Sequence, residues 1–109
     1  MQKPAKVTDA KILIVDDTVF NIFVLRKVLK QVFNLRADGA ESGKLAIEMA
    51  KHKRYRLIFM DLCMPEMSGV TAAREILQQY QVTIVAYSAG CLSDVERKEL
   101  EDVGIASVL

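Results

Sequence analysis

Three short segments of this chain are almost wholly apolar, and each stops on a side chain that carries oxygen. KILIV (11–15) runs into Asp16 and Asp17, LIFM (57–60) into Asp61, and VTIVAY (82–87) into Ser88. A strand with one wet face alternates polar and apolar residues. A run without alternation needs cover on both faces, as in a parallel sheet clad with helices. IASVL (105–109) is a weaker fourth run and LRAD (35–38) a thin fifth.

Helical stripes lie between the runs. Ile22, Leu25, Leu29 and Val32 recur at spacings of three and four within 18–32. Leu45, Ala46 and Met49 do so in 42–51, and Val70, Ala73, Leu77 and Tyr80 in 69–80. Each stripe can cover one side of a sheet, and core packing explains all of them. Segment 93–103 opens with Ser93 and Glu96 at capping-box spacing and is followed by Gly104, a helix stop. Its apolar residues are few (Val95, Leu100, Val103), so it is expected to dock least tightly.

The order β-α-β-α-β-α-β-α-β predicts right-handed crossovers and an α/β, doubly wound, five-stranded, mostly parallel sheet. Ligands of such sheets bind beyond the carboxyl ends of the strands. Asp16, Asp17, Asp61 and Ser88 are therefore expected at one rim. Any one of them alone is a common loop or cap residue, and Asp17 and Thr18 are good candidates to cap the next helix. Three carboxylates at neighbouring strand ends need more explanation.

Two unit charges 4 Å apart repel by about 4 kcal/mol at an effective dielectric of about 20. A carboxylate cluster therefore calls for protonation or a cation. With 1 histidine in the chain, His52, zinc is a poor match. Mg²⁺ takes carboxylates, waters and phosphate oxygens. A carboxylate beside it is a reasonable nucleophile toward phosphorus.

Composition excludes rival classes. The 109 residues are 51% hydrophobic and 27% charged, which suits one globular domain. Net charge is +1, giving no field to draw nucleic acid or an anionic membrane. The basic run Lys51, His52, Lys53, Arg54, Arg56 reads as a solvated helix end. Cys63 and Cys91 show no metal spacing or disulfide framework, which suggests a reducing, cytosolic compartment. No apolar run approaches a membrane span, and residues 1–10 read as a polar lead-in or linker with no signal peptide. No glycine-rich phosphate loop follows the first strand, and Cys63 stands where an aspartyl phosphatase would want a second Asp.

ILIVDD (12–17), IFMDLCMPEMSG (58–69) and VAYSAG (85–90) together resemble the response-regulator receiver domain, over residues 11–109. VDDTVFNIFVLRKVL also resembles receivers of hybrid histidine kinases. The resemblance implies a flavodoxin-like fold with strand order 2-1-3-4-5. It implies that Asp61 accepts a phosphoryl group from phosphohistidine on a kinase or phosphotransfer protein. Asp17 would bind Mg²⁺ directly, Asp16 mainly through water, and Cys63 through its main-chain carbonyl. Ser88 would be the switch hydroxyl, with small Ala89 leaving the phosphate accessible. Such a domain is no enzyme beyond its own phosphorylation and dephosphorylation. It signals to an effector or fused output domain, with no nucleic-acid or membrane contact of its own. It is cytoplasmic, or the cytosolic part of a membrane-bound hybrid kinase.

Two departures from the family pattern stand out. The lysine and proline after strand 5 would fall just past Leu109, so the domain reads as C-terminally shortened, with its final helix absent from this chain. The sheet face near strands 4 and 5 would then be uncovered and offer a surface for oligomer formation. Val108 holds the usual aromatic position of strand 5, and Tyr87 is expected to face elsewhere. The alternative to a phosphoacceptor is a non-phosphorylated, pseudo-receiver interaction module.

Overall fold

The computed structural model describes residues 10–87 and 93–109. Its elements are β1 (Ile12–Val15), α1 (Val19–Phe33), β2 (Ala37–Ala40), α2 (Gly43–His52), β3 (Leu57–Asp61), α3 (Gly69–Leu77), β4 (Thr83–Tyr87), α4 (Asp94–Val103) and β5 (Ser107–Val108). Every strand pair is parallel and the order is β2-β1-β3-β4-β5. The expected topology is therefore observed. Among the described residues, no helix is long and apolar enough to cross a membrane.

Alternation along the strands divides the core in two. Leu13, Val15, Ile58, Met60, Ile84 and Ala86 face a large cluster with residues of α2, α3 and Leu100 of α4. Ile12 and Ile14 face the other way, toward Ile22 and Leu29 of α1, with Leu57 and Phe59 alongside. Helix α1 alone supplies the helical side of that smaller cluster among the described residues. Phe20, Val24 and Val28 of α1 consequently stay exposed, and with Phe59, Tyr87 and Leu109 they edge an apolar groove.

Three sequence expectations shift. Strand β2 is Ala37–Ala40 rather than 35–38. Asn34 takes a left-handed conformation (φ 55°) and its N–H caps α1 at Leu29 and Lys30, so Leu35 and Arg36 are spent on the exit turn. Val32 is 67% exposed. A 15-residue helix is about 22 Å long and a 4-residue strand about 13 Å, so the last turn of α1 overhangs the sheet. Tyr80 lies past the end of α3, where its hydroxyl donates to the Lys53 carbonyl (3.0 Å) and accepts from the Tyr55 N–H (3.1 Å). Val95 is 79% exposed.

Helix α4 has the expected capping box between Ser93 and Glu96, and Gly104 closes it at φ 102°. Leu100 is its one buried residue, with Val103 partly buried against the same core and Glu99 paired with Arg74 of α3, so it docks on few contacts.

Candidate metal and phosphoacceptor site

Register brings the acidic residues together. Val15 of β1 lies opposite Met60 of β3, so Asp16 and Asp61 emerge side by side from adjacent strand ends. Asp61 in turn lies opposite Tyr87 of β4. Asp16, Asp17 and Asp61 each offer a carboxylate oxygen, and these oxygens lie within 4.8 Å of one another. Asp16 (1% exposed) and Asp61 (5%) are buried, while Asp17 is open to solvent.

Each buried carboxylate is held by named donors. Asp16 Oδ1 accepts from the Thr18 N–H at 2.9 Å. Asp16 Oδ2 accepts from Asn21 Nδ2 (3.1 Å) and from the Tyr87 hydroxyl (2.7 Å). Asp61 Oδ1 accepts from the Cys63 N–H at 3.0 Å. Thr18 is the N-cap residue of α1 but its side chain makes no capping bond; Asp16 serves its N–H instead. Burial, then the hydrogen bond to Asp16, then the charges of Asp16, Asp61 and Asp17 hold the Tyr87 phenol protonated far above its ordinary range. The negative field that the sequence predicted is thus felt by a neighbour.

The loop after β3 owes its path to Gly69. A Cβ there would overlap the main-chain oxygen of Asp61 and lie 2.9 Å from Leu62 Cα. Only glycine lets α3 start this close to the acidic rim. Ser68 caps that helix by accepting from the Thr71 N–H (3.3 Å). Gly69→Ala should therefore displace either the helix or Asp61. We expect a loss of about 1–3 kcal/mol in a denaturant titration, with weakened Mg²⁺ binding in the same variant.

The sequence reading located the three carboxylates and missed their partners. Asn21 is a helix residue with no distinguishing pattern around it. Tyr87 was expected to face differently from the strand-5 aromatic position, and no sequence pattern signals that its hydroxyl reaches Asp16. Ser88 and Ala89 lie outside the described residues. Cys63 is disulfide-bonded, contrary to the expectation from cysteine spacing. Two cysteines in a chain have no spacing pattern from which a disulfide could be read.

A parallel sheet of this order with acidic strand ends defines a receiver-type fold. Residues 12–109 match the family model "Response regulator receiver domain", and the chain belongs to that family. It is 34% identical over 102 residues to the aerobic respiration control sensor protein ArcB of Escherichia coli, an alignment that covers 90% of this chain and 13% of ArcB. The chain thus spans a small part of that relative. Among solved structures it resembles the receiver domain of a Pseudomonas aeruginosa sensor histidine kinase, which has a magnesium ion in its active-site cleft (TM-score 0.78, 30% identity, 94% of this chain and 84% of that one). It also resembles the receiver domain of a Saccharomyces cerevisiae response regulator, co-crystallised with a histidine phosphotransfer protein (TM-score 0.75, 28% identity, 94% and 80%).

The donor set can be tested against the ion those relatives suggest. It is all oxygen, anionic and open on the Asp17 side, with no nitrogen or sulfur donor in the group. That chemistry fits a hard divalent cation such as Mg²⁺ and disfavours zinc or copper.

Proposed function

We propose that the domain accepts a phosphoryl group on Asp61 from a phosphohistidine, with Mg²⁺ held by Asp17 directly, by Asp16 mainly through water, by Asp61 and by the Cys63 carbonyl. The observation that carries this reading is the convergence of three carboxylate oxygens within 4.8 Å at adjacent strand ends. When bound, the ion neutralises the oxygens of the transferring group. The Cys63 N–H fixes one oxygen of Asp61, which sets the plane of its carboxylate. A carboxylate oxygen of Asp61 forms the new bond to phosphorus, and the donor imidazole leaves with the electron pair of the broken P–N bond. The family resemblance assigns Ser88, which lies outside the described residues, the role of the switch hydroxyl toward the acquired phosphoryl group.

The phosphoryl group adds about −1.5 to −2 charges. Helix α4 follows Ser88 in the chain and buries only Leu100 fully, so it is the element whose position that charge can bias. The exposed aromatics Phe20 and Phe23 stand in the first turns of α1, three and six residues past Asp17. They offer an apolar landing surface to a phosphohistidine-bearing partner beside the site. A cytosolic location, alone or as the cytosolic part of a hybrid histidine kinase, is proposed on the family resemblance and not on the cysteines, since Cys63 is disulfide-bonded.

Incubation with acetyl phosphate and Mg²⁺ tests the reading. An acid-stable, base-labile mass gain that maps to Asp61 and disappears in EDTA is expected. A chain that binds Mg²⁺ but gains no mass is instead the pseudo-receiver, an interaction module.

The groove edged by Phe20, Val24, Val28, Phe59 and Leu109 supports a second reading, a dimer of this chain. The α1 row Phe20-Val24-Val28 has the i, i+4, i+8 spacing that fills such a groove, so two copies can each lay this row in the other's groove. Sedimentation of the 109-residue chain should show concentration-dependent dimers that Val24→Glu converts to monomers.

A further inference from the structure

We propose that Tyr87 is a positioning residue for the divalent-metal site, holding Asp16 at the place relative to Asp61 that the ion requires. The inference rests on reading Asp16, Asp17 and Asp61 as a Mg²⁺ site.

Asp16 is 1% exposed, so water does little to orient its carboxylate, and the terminal torsion of an aspartate is soft. Two of its described donors, the Thr18 N–H and Asn21 Nδ2, are two and five residues away. They belong to the start of α1 and travel with Asp16. Tyr87 is 71 residues away in sequence and belongs to the sheet. Its backbone is the register partner of Asp61, and its carbonyl accepts from the Leu62 N–H at 3.3 Å. One residue therefore grips both halves of the metal site, Asp61 through the ladder and Asp16 through its hydroxyl.

A tyrosine suits this task. It lines the apolar groove with Phe20, Val24, Leu25 and Phe59, while its hydroxyl needs a polar partner. The hydroxyl lies 2.7 Å from Asp16 Oδ2 and 3.3 Å from the Val15 carbonyl. Phenylalanine would keep the ring contacts and lose only the grip. Residues that orient metal ligands typically contribute 10- to 100-fold in metal affinity.

The test is Tyr87→Phe, followed by Mg²⁺ titration of the Thr18 and Cys63 amide resonances. The Mg²⁺ dissociation constant is expected to rise by about tenfold or more, with the melting temperature in EDTA little changed. Uptake from acetyl phosphate should fall at low Mg²⁺ and recover when Mg²⁺ is raised, a rescue that a purely structural role would not produce. An unchanged dissociation constant overturns the proposal. A wild-type measurement stands in should the variant fold poorly: Mg²⁺ must shift the Tyr87 ring resonances more than those of Tyr55 and Tyr80, and equal shifts also overturn it. Failure of the wild-type chain to bind Mg²⁺ at all removes the underlying metal reading, and is a separate result.

Discussion

Asp61→Asn is expected to lower phosphoryl uptake from acetyl phosphate by at least about a thousandfold, and to do so in a more stable protein. The amide keeps the shape of the carboxylate, and its oxygen can still accept from the Cys63 N–H that now bonds Asp61 Oδ1. It has no anionic oxygen to attack phosphorus, so the nucleophile is gone while the pocket remains. Asp61 is 5% exposed and its carboxylate joins two others within 4.8 Å. Removing one charge relieves two like-charge contacts, each about 1–4 kcal/mol at about 4 Å as the effective dielectric runs from that of water to about 20. Melting in EDTA should therefore rise, while Mg²⁺ binding weakens because the ion loses a charged ligand. Activity and stability moving in opposite directions is the mark of a site built for chemistry. Mass spectrometry after acetyl phosphate, with parallel thermal melts with and without Mg²⁺, checks both. Uptake that survives in the variant would place the acceptor elsewhere.

Much of this was legible because parallel sheets write themselves plainly. Runs such as ILIV and LIFM must be covered on both faces, and their termini must share a rim, so Asp16, Asp17 and Asp61 could be grouped before any coordinates. The strand order itself came from family resemblance rather than periodicity. Length mismatches were invisible: nothing in the stripe of α1 says that Val32 overhangs a 4-residue strand. Polar partners across the fold were equally hidden. Tyr87 and Asp16 meet only because β4 lies next to β3 and β3 next to β1, a relation between distant segments. Val95 is 79% exposed, in line with a helix that the sequence marks as poor in apolar residues and that buries only Leu100 fully. A pattern says which residues share a face, and the neighbours decide whether that face is covered.

The far end of the sheet carries the second large effect. Asp38 of β2, whose side chain is 1% exposed, accepts from the Tyr55 hydroxyl (2.6 Å) and from Lys53 Nζ (3.0 Å) on one oxygen. The Lys53 side chain is itself 10% exposed, and Tyr80 ties the same segment down through the Lys53 carbonyl and the Tyr55 N–H. The stretch between α2 and β3 is thus pinned to edge strand β2 by one carboxylate. Asp38→Ala removes the counter-charge of a buried ammonium and the acceptor of a buried phenol, which should cost about 3–5 kcal/mol. Against the roughly 5–15 kcal/mol that stabilises a typical domain, that is a severe loss, to be read from the midpoint of a urea titration. The network also sets an alkaline limit. Burial first, and the bond to Asp38 second, raise the folded-state pKa of Tyr55 far above its ordinary 10.0. A raised folded pKa contributes stability in full below the unfolded value and loses it as pH climbs toward the folded one. Stability should accordingly fall above about pH 10. Since burial is the larger cause, Tyr55→Phe should flatten that decline more than Asp38→Asn does; equal slopes in the two variants would show that the carboxylate, and not burial, keeps the phenol protonated.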